Sequence, residues 1–346
     1  MKPWSYFEHW LGLVSRSFAL CIPQLDPPFR DRVALAYLLF RVLDTIEDTR
    51  FTELGTQQRQ FERLRAFLHA MPAPRDVEAF VAAFPAHLTV AERSLLGETH
   101  ALLAESHALP APDRAAVFRA LDRMAKGMEV YARRPAPLQL LNVEDVSRYC
   151  CFVAGVVGEM LTELWTLDRN TAAPRTSLAY HFGLFLQKVN ILKDQEEDEA
   201  AGRFFVPDRS EFLASLRRDA EGALAYLQAI PRADRYRIFC AWSLMLGAVT
   251  VAQLDEPKRS RRAEVTQLLA RTAAIVDDDA ALVQQLAELM PPLPDGAPRP
   301  PIAKPESFEW FRATLAAPLT DAGLRELGVG GARATARAIL TARETG

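Results

Sequence analysis

Apolar residues return every three to four positions along most of the chain, the spacing of helices that bury one face. From 31 to 51 the positions Val33, Tyr37, Phe40, Val42 and Leu43 follow this pattern. Similar periodicity predicts helices over about 89–106, 112–131, 143–166, 176–200, 209–228, 235–254 and 259–276. Helix-stopping residues fall in the intervals: Pro110 and Pro112, Pro135 and Pro137, Pro174, Gly202 and Pro207, Pro231, and Pro257. No run alternates apolar and polar positions with the β-branched richness of a half-buried strand, and no repeat of fixed period occurs. The expectation is an all-α fold.

The pattern changes at 290–305, MPPLPDGAPRPPIAKP, which reads as an extended proline-rich linker. It divides the chain into a helical domain over 1–289, the linker, and a C-terminal tail over 306–346. In the tail Phe308, Trp310 and Phe311 supply apolar groups for docking back on the main body. The 346 residues are 49% hydrophobic and 25% charged, an ordinary globular composition, and the net charge of -3 carries no nucleic-acid footprint. The cysteines Cys21, Cys150, Cys151 and Cys240 show no paired spacing, so they read as reduced, buried thiols of a cytoplasmic protein. Glu8, His9 and Arg16 interrupt any apolar leader at the start. The longest apolar stretch, 238–252, has 15 residues, short of the roughly 18–20 that a membrane span needs, so no integral membrane segment is expected.

Two acidic pairs stand out against this background. Asp44 and Asp48 are one helical turn apart, with Tyr37 and Arg41 on the same face. Asp194 and Asp198 repeat the relation, with Gln187 and Asn190 on their stripe. Like charges at this spacing cost an isolated helix roughly 0.2–0.5 kcal/mol, so a solvated acidic patch is one reading. The other starts from the apolar segments 34–43 and 182–192 that precede the pairs, which suit helices running through a core. Carboxylates ending such helices would look into an interior opening, where Mg²⁺ shared with a diphosphate suits them. Arg41, Lys188, Lys193 and Arg203 supply basic residues nearby, whereas Glu196 and Glu199 read as solvent-facing. A di-iron bundle would want Glu-x-x-His pairs, which the six histidines do not form. Spacing alone leaves the two readings open.

Several separated blocks resemble the squalene/phytoene synthase family, most of all its squalene-forming members. They are Ser15-Arg16-Ser17-Phe18; YLLFRVLDTIEDT over 37–49; YCCFVAGVVGEML over 149–161; GLFLQKVNILKDQEED over 183–198; GRFFVP over 202–207; and Phe239-Cys240-Ala241. The resemblance implies a single-domain isoprenoid-synthase helical bundle with the acidic motifs facing across a central apolar cavity. It implies head-to-head joining of two prenyl diphosphates, farnesyl diphosphate foremost, through presqualene diphosphate, then reduction by NADPH. Carried over by position, Asp44, Asp48, Asp194 and Asp198 would bind Mg²⁺. Arg16, Arg41, Lys193 and Arg203 would hold diphosphate oxygens, and Gln187 and Asn190 match cavity residues. Tyr37 and Tyr149 would sit beside the reacting carbons. Phe18, Phe152, Val153, Ala154, Val157, Leu186 and Phe239 would line the hydrocarbon tunnel, with Gly155 and Gly158 either making room for the chain or packing helices closely. A hydrocarbon product also makes peripheral membrane contact an expectation. Lys193 departs from the usual Arg, and Leu254, Asp255 and Glu256 stand where reducing members carry Tyr-Asn-Asn, so the condensation is better supported than the reduction.

Overall fold

The computed structural model describes residues 1–290 other than 54, 135, 175 and 255–261. The proline-rich stretch after Met290, the tail with Phe308, Trp310 and Phe311, and Pro135, Pro257, Asp255 and Glu256 lie outside the described residues. The helices in chain order are α1 (Trp4–Val14), α2 (Phe18–Cys21), α3 (Phe29–Asp48), α4 (Thr56–His69), α5 (Pro74–Ala82), α6 (Val90–Gly97), α7 (Thr99–His107) and α8 (Ala111–Ala132). They continue with α9 (Val143–Cys150), α10 (Val156–Arg169), α11 (Thr176–Lys193), α12 (Gln195–Ala200), α13 (Arg209–Ala229), α14 (Arg235–Ala252), α15 (Arg262–Ala274) and α16 (Asp279–Leu289). A π-helical stretch, Cys151–Gly155, joins α9 to α10.

Local chemistry explains several boundaries. Thr89 and Glu92 start α6 with a reciprocal capping box, Glu92 N–H reaching Thr89 Oγ1 at 3.2 Å and Thr89 N–H reaching Glu92 Oε2 at 2.9 Å. Asn142 caps α9 by accepting from Asp145 N–H at 2.9 Å. The Asp145 carboxylate does not close a capping box; it takes Leu141 N–H and a two-pronged pair from Arg134. The predicted helix over 176–200 is broken at Asp194, which adopts φ -104° and ψ 11°. The i→i−4 bonds Asp194 N–H to Asn190 O and Asp198 N–H to Asp194 O, both 2.9 Å, keep the acidic pair one turn apart.

Helix α3 buries side chains all round from Val33 to Ile46, so it runs through the core rather than over it. Helix α11 is buried in the same way and packs on α10, α13 and α14. Gly158 and Gly183 permit the closest approach. A Cβ on Gly158 would stand 2.1 Å from the Ala179 carbonyl oxygen, and one on Gly183 would stand 2.3 Å from that of Ala154. The apolar stretch expected to be too short for a span, 238–252, lies within α14, whereas the stretch Val143–Arg169 is, among the described residues, the one helix long and apolar enough to cross a membrane. Of its most apolar stretch 61% is buried inside the protein, as befits a core helix.

The sequence shows no strand pattern, yet a two-residue parallel ladder forms. Leu138–Gln139 (β1) pairs with Arg203–Phe204 (β2), and Leu138 N–H donates to Gly202 O at 2.9 Å. The turn into β2 needs Gly202 at φ 76°, the left-handed region that a side chain disfavours. This short ladder fixes the segment that carries Arg203 and Phe205.

Candidate active site

A cavity of about 1020 Å³ lies between α3, the α9–α10 rod, α11 and α14. Its wall includes Asp44, Asp48, Asp194 and Asp198, together with Arg16, Phe18, Tyr37, Arg41, Tyr149, Val153, Gln187, Asn190, Lys193 and Arg203. The two acidic pairs, some 150 residues apart in sequence, therefore meet at one end of one chamber. Arg203 ties them together: its Nη1 stands 3.1 Å from Asp48 Oδ1, and its Nη2 stands 2.7 Å from Asp198 Oδ1. Arg41 pairs with Asp44 at 3.0 Å and Lys193 with Asp194 at 3.0 Å. Arg50 closes the edge by donating to Ala201 O at 2.7 Å.

The electrostatics set this end apart. Removal from water pushes Asp44 up to about 6, although Arg41 opposes the shift. Burial pushes Glu47 up to about 8, with the charges of Asp48 and Asp44 adding to it. Burial also raises Asp198. Loss of water is the first cause of all three shifts, and a divalent cation is a partner that would offset it. Among the described residues no group of three His, Cys, Asp or Glu ligands stands ready to cage a metal. Mg²⁺ does not need such a cage, because it takes one or two carboxylates and completes its shell with water and phosphate oxygens. The donor set is all oxygen, so the residues fit the group.

Glu47 is the functional candidate that the sequence reading passed over. It lines the cavity and accepts a hydrogen bond from Tyr149 OH at 3.1 Å. Its signal was visible as the glutamate inside Asp-Thr-Ile-Glu-Asp, but the i,i+4 template drew attention to the flanking aspartates alone. Tyr149 itself is buried, stacks on Phe205 at 5.0 Å and 14°, and meets Tyr131 edge-on at 5.0 Å. Burial, then the nearby Glu47 charge, raises its phenol well above the ordinary value, so it stays protonated and donates. Tyr37 packs beside Phe18 at 5.3 Å, and Phe18 lies 6.3 Å from Phe239, giving the chamber an aromatic wall.

The α9–α10 rod presents Tyr149, Val153, Val157 and Leu161 to the cavity. Steps of four would drift around a regular α-helix by about 40° each. The wider π turns between Cys151 and Gly155 hold the stripe in line.

Three expectations need correction. Gly155 is absent from the cavity wall; its Cα lies against the Tyr180 ring, where a Cβ would come within 2.6 Å, so close packing is its role. Gly158 does reach the wall, but its Cα is held against Ala179 for the same packing reason. Phe152 also faces elsewhere, filling the space above Gly127 and meeting Tyr131 at 6.1 Å. Lys188 is not near the acids: it is fully buried and donates to Asp219 at 2.6 Å, Ser215 at 2.5 Å and Ser147 at 3.1 Å. The other tunnel residues expected, Ala154, Val157, Leu186 and Phe239, do line the cavity, and Glu196 and Glu199 are exposed. All four cysteines are free and buried.

Known proteins place the architecture. The chain is 34% identical over 209 residues to the squalene synthase of Cyberlindnera jadinii, a match covering 57% of this chain and 44% of that protein. It is 31% identical over 242 residues to the squalene synthase of Ganoderma lucidum, covering 66% and 46%. The chain thus spans less than half the length of the curated relatives it matches. Among solved structures, the complex of TcSQS with the ligand BPH1237 superposes with a TM-score of 0.68 at 22% identity, covering 94% of this chain and 98% of that one. A dehydrosqualene synthase complex superposes with a TM-score of 0.54 at 19% identity, covering 79% and 96%. Both are likenesses of fold. The family model described as squalene/phytoene synthase matches residues 11–269, from just before the Ser-Arg-Ser-Phe block to beyond Phe239-Cys240-Ala241, and the chain belongs to that family.

Proposed function

We propose that this protein is a prenyltransferase that joins two farnesyl diphosphates head to head through presqualene diphosphate to squalene. The observation that carries this reading is the convergence of both acidic pairs on Arg203 at one end of a large apolar chamber. The volume, about 1020 Å³, is at the upper end of the roughly 300–1,000 Å³ of small-molecule sites, which suits two hydrocarbon tails better than one. The names of the relatives at 31–34% identity support the same chemistry.

Asp44, Asp48, Asp194 and Asp198 would hold Mg²⁺, with Glu47 close by. When bound, Mg²⁺ neutralises the charge that develops on the diphosphate as the C–O bond breaks. Arg16, Arg41, Lys193 and Arg203 bind diphosphate oxygens, the guanidinium groups with two donors each. Gln187 and Asn190, on the stripe of Asp194, orient that headgroup. The protonated Tyr149, anchored on Glu47, presents its ring and hydroxyl to the reacting carbons rather than acting as a base. The faces of Tyr37, Phe18 and Phe205 steady positive charge on the allylic fragment, and the apolar wall formed by Val153, Val157 and Leu186 excludes the water that would quench it.

The reductive half rests on NADPH, and a second reading comes from that half. Leu254, Asp255 and Glu256 replace the Tyr-Asn-Asn of reducing members, and acidic residues repel a phosphate-bearing cofactor. The enzyme would then stop at presqualene diphosphate or form an unreduced product. We place the protein in the cytoplasm, with peripheral membrane contact for delivery of the product. Incubation with farnesyl or geranylgeranyl diphosphate and Mg²⁺, with and without NADPH, followed by product extraction, separates the readings. Squalene only with NADPH supports the first, and an unreduced C30 product in both tubes supports the second. No pyrophosphate from either substrate refutes catalysis and leaves a prenyl-lipid-binding protein.

A further inference from the structure

The end of the cavity remote from the acids is closed by two tyrosines. Helix α3 begins at Phe29, 19 residues before Asp48, which is about 28 Å at roughly 1.5 Å per residue. The Phe29 ring meets Tyr236 edge-on with centroids 5.4 Å apart. On α11, Phe182 lies 12 residues before Asp194, about 18 Å along the helix. Phe182 meets Tyr226 edge-on at 5.9 Å. Tyr226 and Tyr236 both line the cavity, and each is only 2% exposed.

Their hydroxyls form a directed chain. Thr162 Oγ1 donates its one proton to Gly158 O at 2.8 Å, so it accepts from Tyr226 OH at 2.7 Å. Tyr226 OH in turn accepts from Tyr236 OH at 2.9 Å. Each hydroxyl is satisfied without water, and neither ring can swing aside without stranding a buried polar group. The chain ends on Gly158, whose Cα is itself pressed against the Ala179 carbonyl, so the anchor does not give. Tyr236 also stacks on Trp165 at 5.7 Å and on Phe239 at 5.8 Å, which adds to its support.

We propose that Tyr226 and Tyr236, tied to Thr162, form a fixed floor that stops the hydrocarbon tail lying along α11 at three isoprene units. The inference rests on the prenyl diphosphate reading of this cavity and adds which residues set the length it accepts. An extended chain advances about 1.2 Å per bond, as roughly 3.5 Å over three backbone bonds implies. On that scale the main chain of a farnesyl tail reaches about 14 Å and that of a geranylgeranyl tail about 19 Å. The span of about 18 Å from the level of Asp194 to that of Tyr226 exceeds the first reach and falls short of the second, with the diphosphate seated beyond Asp194. The shorter tail fits, and the longer one meets the tyrosine rings.

The test is calorimetric binding of the non-ionising farnesyl and geranylgeranyl S-thiolodiphosphates, with Mg²⁺, to the full chain. The wild type should bind the C15 compound at least about tenfold more tightly than the C20 compound. Tyr226→Ala or Tyr236→Ala, each checked for cooperative thermal unfolding, should narrow that ratio about tenfold. Tyr226→Phe, which keeps the ring and removes its link to Thr162, should narrow it about fivefold. Equal wild-type affinity for the two lengths, or an unchanged ratio in both folded alanine variants, overturns the floor. An unchanged ratio in the phenylalanine variant alone overturns the part assigned to Thr162. Binding needs no turnover, so a wild type that releases no pyrophosphate from true substrates refutes the catalytic reading while the affinity ratio still decides the floor.

Discussion

Replacing Arg203 by alanine separates a catalytic role from a structural one. The guanidinium holds Asp48 and Asp198 at 3.1 and 2.7 Å, so their charges are on the order of 6 Å apart. Without it, their repulsion at an effective dielectric of about 20 is roughly 3 kcal/mol. Asp48 is 55% exposed and Arg203 32%, so solvent screening brings the stability cost down to about 1 kcal/mol. For a helical body of this size that corresponds to a Tm loss of about 3 °C. Turnover should suffer far more. Each charge-assisted hydrogen bond to a diphosphate oxygen contributes roughly 1.5–3 kcal/mol, so losing both prongs lowers kcat/KM by about 10²–10⁴. Arg203→Lys, which keeps charge without the fork, should lose about 10–10². The assay is Mg²⁺-dependent pyrophosphate release from farnesyl diphosphate, with Tm measured on the same preparations. An alanine variant within about threefold of wild type would refute the diphosphate role, and a Tm loss above about 10 °C would make Arg203 a strut instead.

Asp44→Ala and Asp194→Ala should each abolish pyrophosphate release while leaving the helical circular dichroism unchanged, and retained turnover in either would remove that aspartate from the metal site. Lys188→Met should cost about 3–5 kcal/mol in denaturant unfolding, because Asp219 would be left as a buried charge without its lysine; a loss under about 1 kcal/mol would show that the pair is dispensable. Burial pushes Cys21 and Cys150 from an ordinary value of 9 to about 12. The unfolded thiols ionise first, so the stability these groups leave intact below pH 9 is lost as pH rises from 9 towards 12, by about 1 kcal/mol per thiol at pH 10. The native thiols should resist a thiol reagent at pH 8 and react on unfolding; fast native labelling would contradict their burial.

The features legible in the sequence were those with a period. Helix α3, with Asp44 and Asp48 on the face of Tyr37 and Arg41, follows directly from apolar spacing, and so does the stripe Gln187, Asn190, Asp194 on α11. The same geometry should have excluded Lys188. It precedes Asp194 by six residues, about 240° around a helix, and therefore points away from the acids into α13. Phe152 and Gly155 escaped correct placement because the π turns from Cys151 to Gly155 change the phase, and nothing in the local composition announces them. The β ladder that delivers Arg203 has two residues per strand, too short for any alternation to register. Glycines signal close approach only once the partner is known: Gly155 and Gly158 could equally have made room for substrate until Tyr180 and Ala179 were seen against them. The tyrosine floor depends on Thr162, Tyr226 and Tyr236, three residues on three helices whose meeting no linear pattern encodes.

Anomalous diffraction from crystals grown with Mn²⁺ and farnesyl S-thiolodiphosphate tests the central claim most directly. The account predicts manganese within about 2.0–2.3 Å of carboxylate oxygens from both α3 and the α11–α12 junction, with the diphosphate between them and the tail in the chamber. Manganese on one acidic pair alone, with the diphosphate bound elsewhere, would contradict it.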